Sequence, residues 1–125
     1  MLKDFFDFLT TELTLTPNTD WHFLEFPPNA PDNGTALGEF VGARVDGDNN
    51  AMRWHRYQFL TRDKDKVPAH TEANRIVEAV LQLRGEAITG HYIYDITGAL
   101  PAYIGKDEKG RHVFSANVNV SARKE

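Results

Sequence analysis

From Phe114 to Ala122 the chain alternates. Phe114, Ala116, Val118, Val120 and Ala122 are apolar or small, and Ser115, Asn117, Asn119 and Ser121 between them are polar. A period of two marks an extended strand with one buried face and one face that is wet or paired with polar groups. This strand closes a longer construction over residues 53–122: an aromatic strand from Arg53 to Arg62, a proline-started helix from Pro68 to Arg84, and a closing hairpin. The helix carries Ala69, Ala73, Ile76, Val77, Val80 and Leu81 on one stripe, with Glu72, Arg75, Glu78 and Gln82 outside it. Pro68 suits the first turn, Arg84 complements the C-terminal dipole, and Gly85 can take the left-handed position past the end. His91 to Thr97 predicts a further strand, with Tyr92, Tyr94 and Ile96 on one side. Ala102 to Gly105 then leads through Lys106-Asp107-Glu108-Lys109-Gly110, where Asp107 can start the turn and Gly110 can supply positive φ.

The first half is less regular. Leu2, Phe5, Phe6, Leu9 and Leu13 recur at helical spacing to about residue 14, and Phe8 widens the stripe. That face lacks a basic rim, so docking on the protein's own sheet is favoured over a membrane surface. Trp21 to Phe26 reads as a strand stopped by Pro27-Pro28, and residues 29–38 read as a loop of turn formers. Glu39 to Asp46 resumes strand character, with Val41, Ala43 and Val45 on one face, and residues 46–50 turn into the third strand as a hairpin. In that third strand Tyr57 and Phe59 share one face while Trp54 and Leu60 lie on the other, which points to burial on both sides and to self-association. The expected fold is α+β: one domain over 1–125, with a mixed, largely antiparallel sheet of about four to five strands. Two main helices are expected on one face of that sheet.

Composition narrows the function. A chain of 125 residues holds one core, and 41% hydrophobic with 26% charged residues excludes wholesale disorder. With Cys 0, disulfides, thiolate nucleophiles and cysteine-bound metals are excluded, and a reducing compartment is favoured. The balance of 14 basic against 18 acidic residues gives −4, a field that repels nucleic acid and anionic membrane. The N-terminus lacks a long uncharged apolar run, and no stretch reaches the roughly 18 apolar residues of a membrane span, so a soluble protein that stays where it is made is expected.

A search for chemistry finds no local constellation. Asp46, Asp48 and Asn50 fit the first positions of a calcium loop, but Ala51 replaces the glycine and Tyr57 the bidentate acid. His22, His55, His70, His91 and His112 lie on separate elements without metal-ligand spacing; a meeting of His22 and His55 across neighbouring strands reads first as cross-strand polar pairing. No phosphate-cradling glycine loop, G-x-S-x-G elbow or H-E-x-x-H helix occurs. The run Arg62-Asp63-Lys64-Asp65-Lys66 cancels its own charge. Asp4, Asp7, Asp95, Asp107 and Glu108 offer acid/base work only if the fold gathers them. No catalytic, cofactor-binding or metal-binding residue is therefore assigned. Two readings from other classes stay open: a small hydrolase using a His/carboxylate pair, and a ligand-binding α+β domain with an enclosed cavity.

Several phrases together resemble one family. They are the N-terminal helix, Phe26-Pro27-Pro28, Tyr57-Gln58-Phe59-Leu60-Thr61-Arg62-Asp63 running into the helix from Ala69 to Leu83, Leu100-Pro101-Ala102-Tyr103-Ile104-Gly105, Asp107-Glu108-Lys109-Gly110-Arg111 and Phe114-Ser115-Ala116-Asn117. The chain resembles the minor capsid and tail terminator (head-tail joining) proteins of tailed bacteriophages that infect Gram-positive bacteria. The resemblance spans nearly the whole sequence. It implies a structural virion protein without catalytic residues or cofactors, assembled in the bacterial host cytoplasm and placed at the head-tail junction. It also implies a hexameric ring of identical copies that caps the completed tail tube, stops its polymerisation and meets the head-tail connector. DNA would pass through the lumen without specific binding. A neck adaptor that binds the connector rather than the tube is the structural alternative. Candidate protein-contact residues are Trp54 and Leu60 on the second face of the third strand, Asn33 and Gly34 in the 27–38 loop, and Arg62, Asp63 and Lys64 in the charged connection.

Overall fold

The alternating C-terminal segment lies in the middle of the sheet, where both of its edges are paired. The computed structural model describes residues 1–45, 52–88 and 90–124. Its elements run α1 (Leu2–Glu12), β1 (Trp21–Phe23), β2 (Gly34–Val45), β3 (Met52–Asp63), α2 (Lys66–Leu81), β4 (Ala87–Ile88), β5 (His91–Gly98), β6 (Ala102–Lys106) and β7 (His112–Lys124). The strands form one 7-stranded sheet in the order β1-β2-β3-β7-β5-β4, with β6 also pairing β7. β3 occupies one edge of β7 from His112 to Arg123. β5 and β6 must therefore share the other edge, β6 against His112–Ser115 and β5 against Val118–Lys124.

The alternation holds in three dimensions. Phe114, Ala116, Val118, Val120 and Ala122 are all buried, whereas Asn117 and Asn119 are exposed and Ser115 and Ser121 half-buried. Across the ladder Val118 faces Tyr57 and Ala116 faces Phe59, so β3 and β7 present one continuous apolar face. Both helices cover that face. Phe5, Phe6 and Leu9 of α1 and Ile76, Val77 and Val80 of α2 join it in one core with Trp21 and Leu37. Phe6 stacks on Trp21 with ring centroids 4.8 Å apart, and the Trp21 Nε1–H donates to Thr10 Oγ1 at 2.9 Å. Burying these side chains is the main stabilising term, because removal of apolar surface from water drives folding.

The α+β class, the two helices on one face and the antiparallel β2–β3 hairpin agree with expectation, but the sheet is larger than the four to five strands expected. The unforeseen member is β4, of two residues; β6 is the first arm of the expected closing hairpin and, at five residues, adds a further strand to the count. The expected strand from Trp21 to Phe26 ends at Phe23 and pairs parallel to β2. Gly34 to Gly38, read as loop, belong to β2. Those glycines are present for close approach: a Cβ on Gly34 would lie 3.2 Å from the Asp20 carbonyl oxygen, and one on Gly38 would lie 3.3 Å from that of Leu24. Helix α2 begins two residues before Pro68 and ends before Arg84. A register shift between Ile93 and Asp95 breaks the expected Tyr92, Tyr94, Ile96 face, leaving Ile93 and Ile96 buried and Tyr94 exposed. The turn at 46–50, with its partial calcium-loop pattern, lies outside the described residues. Among those residues no helix is long and apolar enough to cross a membrane.

Candidate functional site

The chain leaves β1 through a strained residue. Leu24 has φ 75, and its N–H donates to the Leu37 carbonyl at 2.7 Å, which turns the segment out of the sheet and over the face the helices do not cover. Phe26 then folds back, 5.4 Å from the His22 ring and with the Arg62 guanidinium 3.8 Å over its own ring. Arg62 Nη2 donates to the Pro31 carbonyl at 3.1 Å. Burial first, and then Arg111, lowers the basicity of Arg62, which stacking and this one hydrogen bond hold in place. His22 is fully buried beneath the same loop, and burial, with Arg62 adding to it, lowers its basicity below the ordinary imidazole range.

The charged connection completes this corner. Lys64 pairs with Asp32 at 3.2 Å, and Arg111 reaches Asp32 at 3.6 Å and Asp107 at 2.7 Å. Asp63 Oδ1 accepts the Asp65 N–H at 3.0 Å where α2 starts. Residues 31–33, the connection 62–64 and the β6–β7 turn are thus tied together. Asn33, Gly34, Arg62 and Asp63, four of the sequence candidates, line one cleft of about 250 Å³ there, and Lys64 stands beside it. The cleft mixes Asp20, Asp63 and Glu72 with Arg62 and Arg75, and Arg75 is held by Glu72 at 2.6 Å. Its signs are mixed, three acids against two arginines, which suits a protein surface better than a phosphate.

Leu60 and Trp54 are placed elsewhere. Leu60 is half-buried on the outer face and lines a second groove of about 500 Å³ with Leu24, Phe26 and Gln58, rimmed by Glu25 and Glu39. Trp54 is also half-buried but sits toward the opposite end of β3, opposite Ser121 and Arg44 in the ladder. Sequence reading did not foresee Leu24 or the Phe26–Arg62 stack. The closing hairpin did supply β6 as its first arm, but not the exposure of its apolar side chains: Ile104 is 61% and Tyr103 41% exposed, and Leu100 just before the strand 64%. The signal for that exposure was present: residues 100–104 are apolar without alternation.

Titratable groups do gather under α1, in a structural arrangement. His91 Nε2 lies 3.3 Å from Asp4 Oδ2, and His55 Nδ1 lies 3.6 Å from Glu39 Oε1, beyond hydrogen-bond reach. Burial, then Glu39 and Asp4, raises the Tyr57 phenol above its ordinary range, so it stays protonated as a neutral core group. Glu39 also borders the groove beside Leu24, which His55 does not line. The suggested meeting of His22 and His55 does not occur: β2 separates their strands, and the ladders put the two rings on opposite faces. No three His, Cys, Asp or Glu side chains among the described residues are placed to hold a metal ion.

The sequence matches the profile of a family described as bacteriophage tail terminator protein over residues 8–124. Among solved structures, a chain described as "Virion of native gene transfer agent (GTA) particle" shares the fold, with a TM-score of 0.62 and 12% identity. The alignment covers 92% of this chain and 84% of that chain. No curated protein matches this sequence.

Proposed function

The chain belongs to the bacteriophage tail terminator family, and we propose that it closes the end of the completed tail tube, stops its polymerisation and presents a face to the head-tail connector. Membership makes it a structural, non-enzymatic protein of the virion. In the proposed role it acts as a ring of six copies, with the tail tube protein on one side and connector proteins on the other. A net charge of −4 suits a lumen through which DNA slides without being held. The observation that carries this reading is the corner in which the proline-rich loop, the 62–64 connection and the β6–β7 turn are pinned together by Arg62, Lys64 and Arg111. A rigid, polar, mixed-sign rim suits repeated docking against other structural proteins.

The test is removal of residues 29–33, with tail length and head joining scored by electron microscopy of phage lysates. Overlong tubes and unjoined heads are expected. Tubes of normal length with unjoined heads would favour the neck-adaptor reading, and normal joined particles would overturn the assignment of this corner.

A further inference from the structure

We infer that neighbouring copies of this chain join head to tail, the apolar strip on β6 of one copy seating in the outer-face groove of the next. This rests on the proposed ring and names its contacting surfaces. Two unlike surfaces carry it. One is a groove of about 500 Å³ lined by the apolar Leu2, Leu24, Phe26, Ala36 and Leu60 and by Glu25 and Glu39, the latter also 3.6 Å from His55. The other is a strip in which Tyr103 and Ile104 are exposed on β6 and Leu100 just before it, β6 pairing only with β7 among the described residues. Lys66 stands 4.2 Å over the Tyr103 ring and Lys106 ends the strand, so cations flank the strip where acids flank the groove. Neither Glu25 nor Lys106 makes an ion pair with another described residue.

Each surface is costly to leave in water. A free edge strand with exposed Tyr and Ile is an invitation to further pairing that soluble proteins usually block. Leu24 is 58% exposed in a left-handed conformation that leucine rarely adopts, so local strain is spent on displaying an apolar side chain. The two surfaces belong to different places on the molecule. The groove takes in Gln58 and Leu60 of β3 as well as Ala36 and Gly38 of β2, so two to three strand spacings, roughly 10–14 Å, separate it from β6. One copy cannot satisfy its own groove. A contact between two unlike patches is heterologous, and it propagates until it closes into a ring.

The experiment uses two variants of the full chain, observed by sedimentation velocity. Ile104→Asp spoils the strip and keeps the groove; Leu24→Asp spoils the groove and keeps the strip, with aspartate tolerating the left-handed backbone better than leucine. Each alone is expected to associate at least roughly tenfold more weakly than the wild type. An equal mixture is expected to form dimers and nothing larger, because each pair then holds one intact strip facing one intact groove. As an independent check that leaves the apolar residues alone, Lys106→Glu and Glu25→Lys each weaken assembly and the double exchange in one chain restores it. Single variants that assemble like the wild type, a mixture without dimers, or a charge exchange without recovery would each overturn the interface while leaving the ring intact. A wild-type chain that remains monomeric at millimolar concentration would overturn both.

Discussion

The two faces of the central strands differ more than their sequences suggest. On the helix-covered face, Tyr57 and Val118 are 0% exposed and Phe59 2%. On the other face of the same strands, Gln58 and Leu60 are half-buried and Arg56, Asn117 and Asn119 are exposed. The first face is occupied by α1 and α2 and is complete within one copy. Among the described residues the second is covered at the corner where Phe26 and Pro31 reach His22 and Arg62, and Leu2 of α1 reaches its edge. A single strand thus carries a finished core on one side and a surface available to partners on the other. Stability and assembly can then be altered by substitutions at neighbouring positions with little cross-talk.

That separation can be broken most severely from the covered side. Trp21→Ala removes a fully buried ring that stacks on Phe6 and donates to Thr10, and it is expected to cost about 3–5 kcal/mol in urea unfolding. Val118→Asn carries outer-face chemistry into the core, where an amide finds a fully buried apolar site. The expected cost is about 3 kcal/mol, read the same way.

A smaller effect comes from acid. Burial is the leading cause that lowers the basicity of both His22 and His55, although Glu39 partly opposes it at His55. The native state therefore binds fewer protons than the unfolded chain once pH drops below the ordinary imidazole value of about 6.5. Stability from these groups is full above that value and falls as the solution is acidified below it. Melting temperature should decline between roughly pH 7.5 and pH 5, and His22→Phe should flatten part of the decline. A variant curve parallel to the wild type would show that the buried ring under Phe26 has no share in it. The smallest change is expected from Asn119→Val, one residue along from a core position. It should shift unfolding by no more than about 0.5 kcal/mol, and a large loss would mean that the outer face is already packed within one copy.

What was legible in the sequence followed from local periodicity and turn chemistry. The β7 alternation and the α2 stripe of Ala69, Ala73, Ile76, Val77 and Val80 map onto buried positions. The closing turn forms as its residues require: Asp107 Oδ1 accepts the Lys109 and Arg111 N–H groups at 3.0 Å each, and Gly110 sits at φ 77. Long-range contacts were not legible. Gly34 and Gly38 look like loop residues because their reason for being glycine is the backbone of β1, which passes close by in parallel pairing. The bulge at Ile93/Asp95 moves a face without altering the apolar count. At the candidate site, loop and connection were both singled out, yet nothing local indicated that Arg62 would lie on Phe26 or that Asp32 would reach both Lys64 and Arg111. Trp54 was grouped with Leu60 by parity, and parity does not record how far apart along a strand two residues stand.

The position of β7 has a consequence for biosynthesis. Residues 112–124 leave the ribosome after every other strand, yet they separate β3 from β5 and β6 and hold all three. An interrupted translation product ending before His112 contains the groove residues and the strip residues but lacks the strand that sets them apart. Such a fragment lacks the common partner of β3, β5 and β6, so their pairing waits until residues 112–124 have emerged.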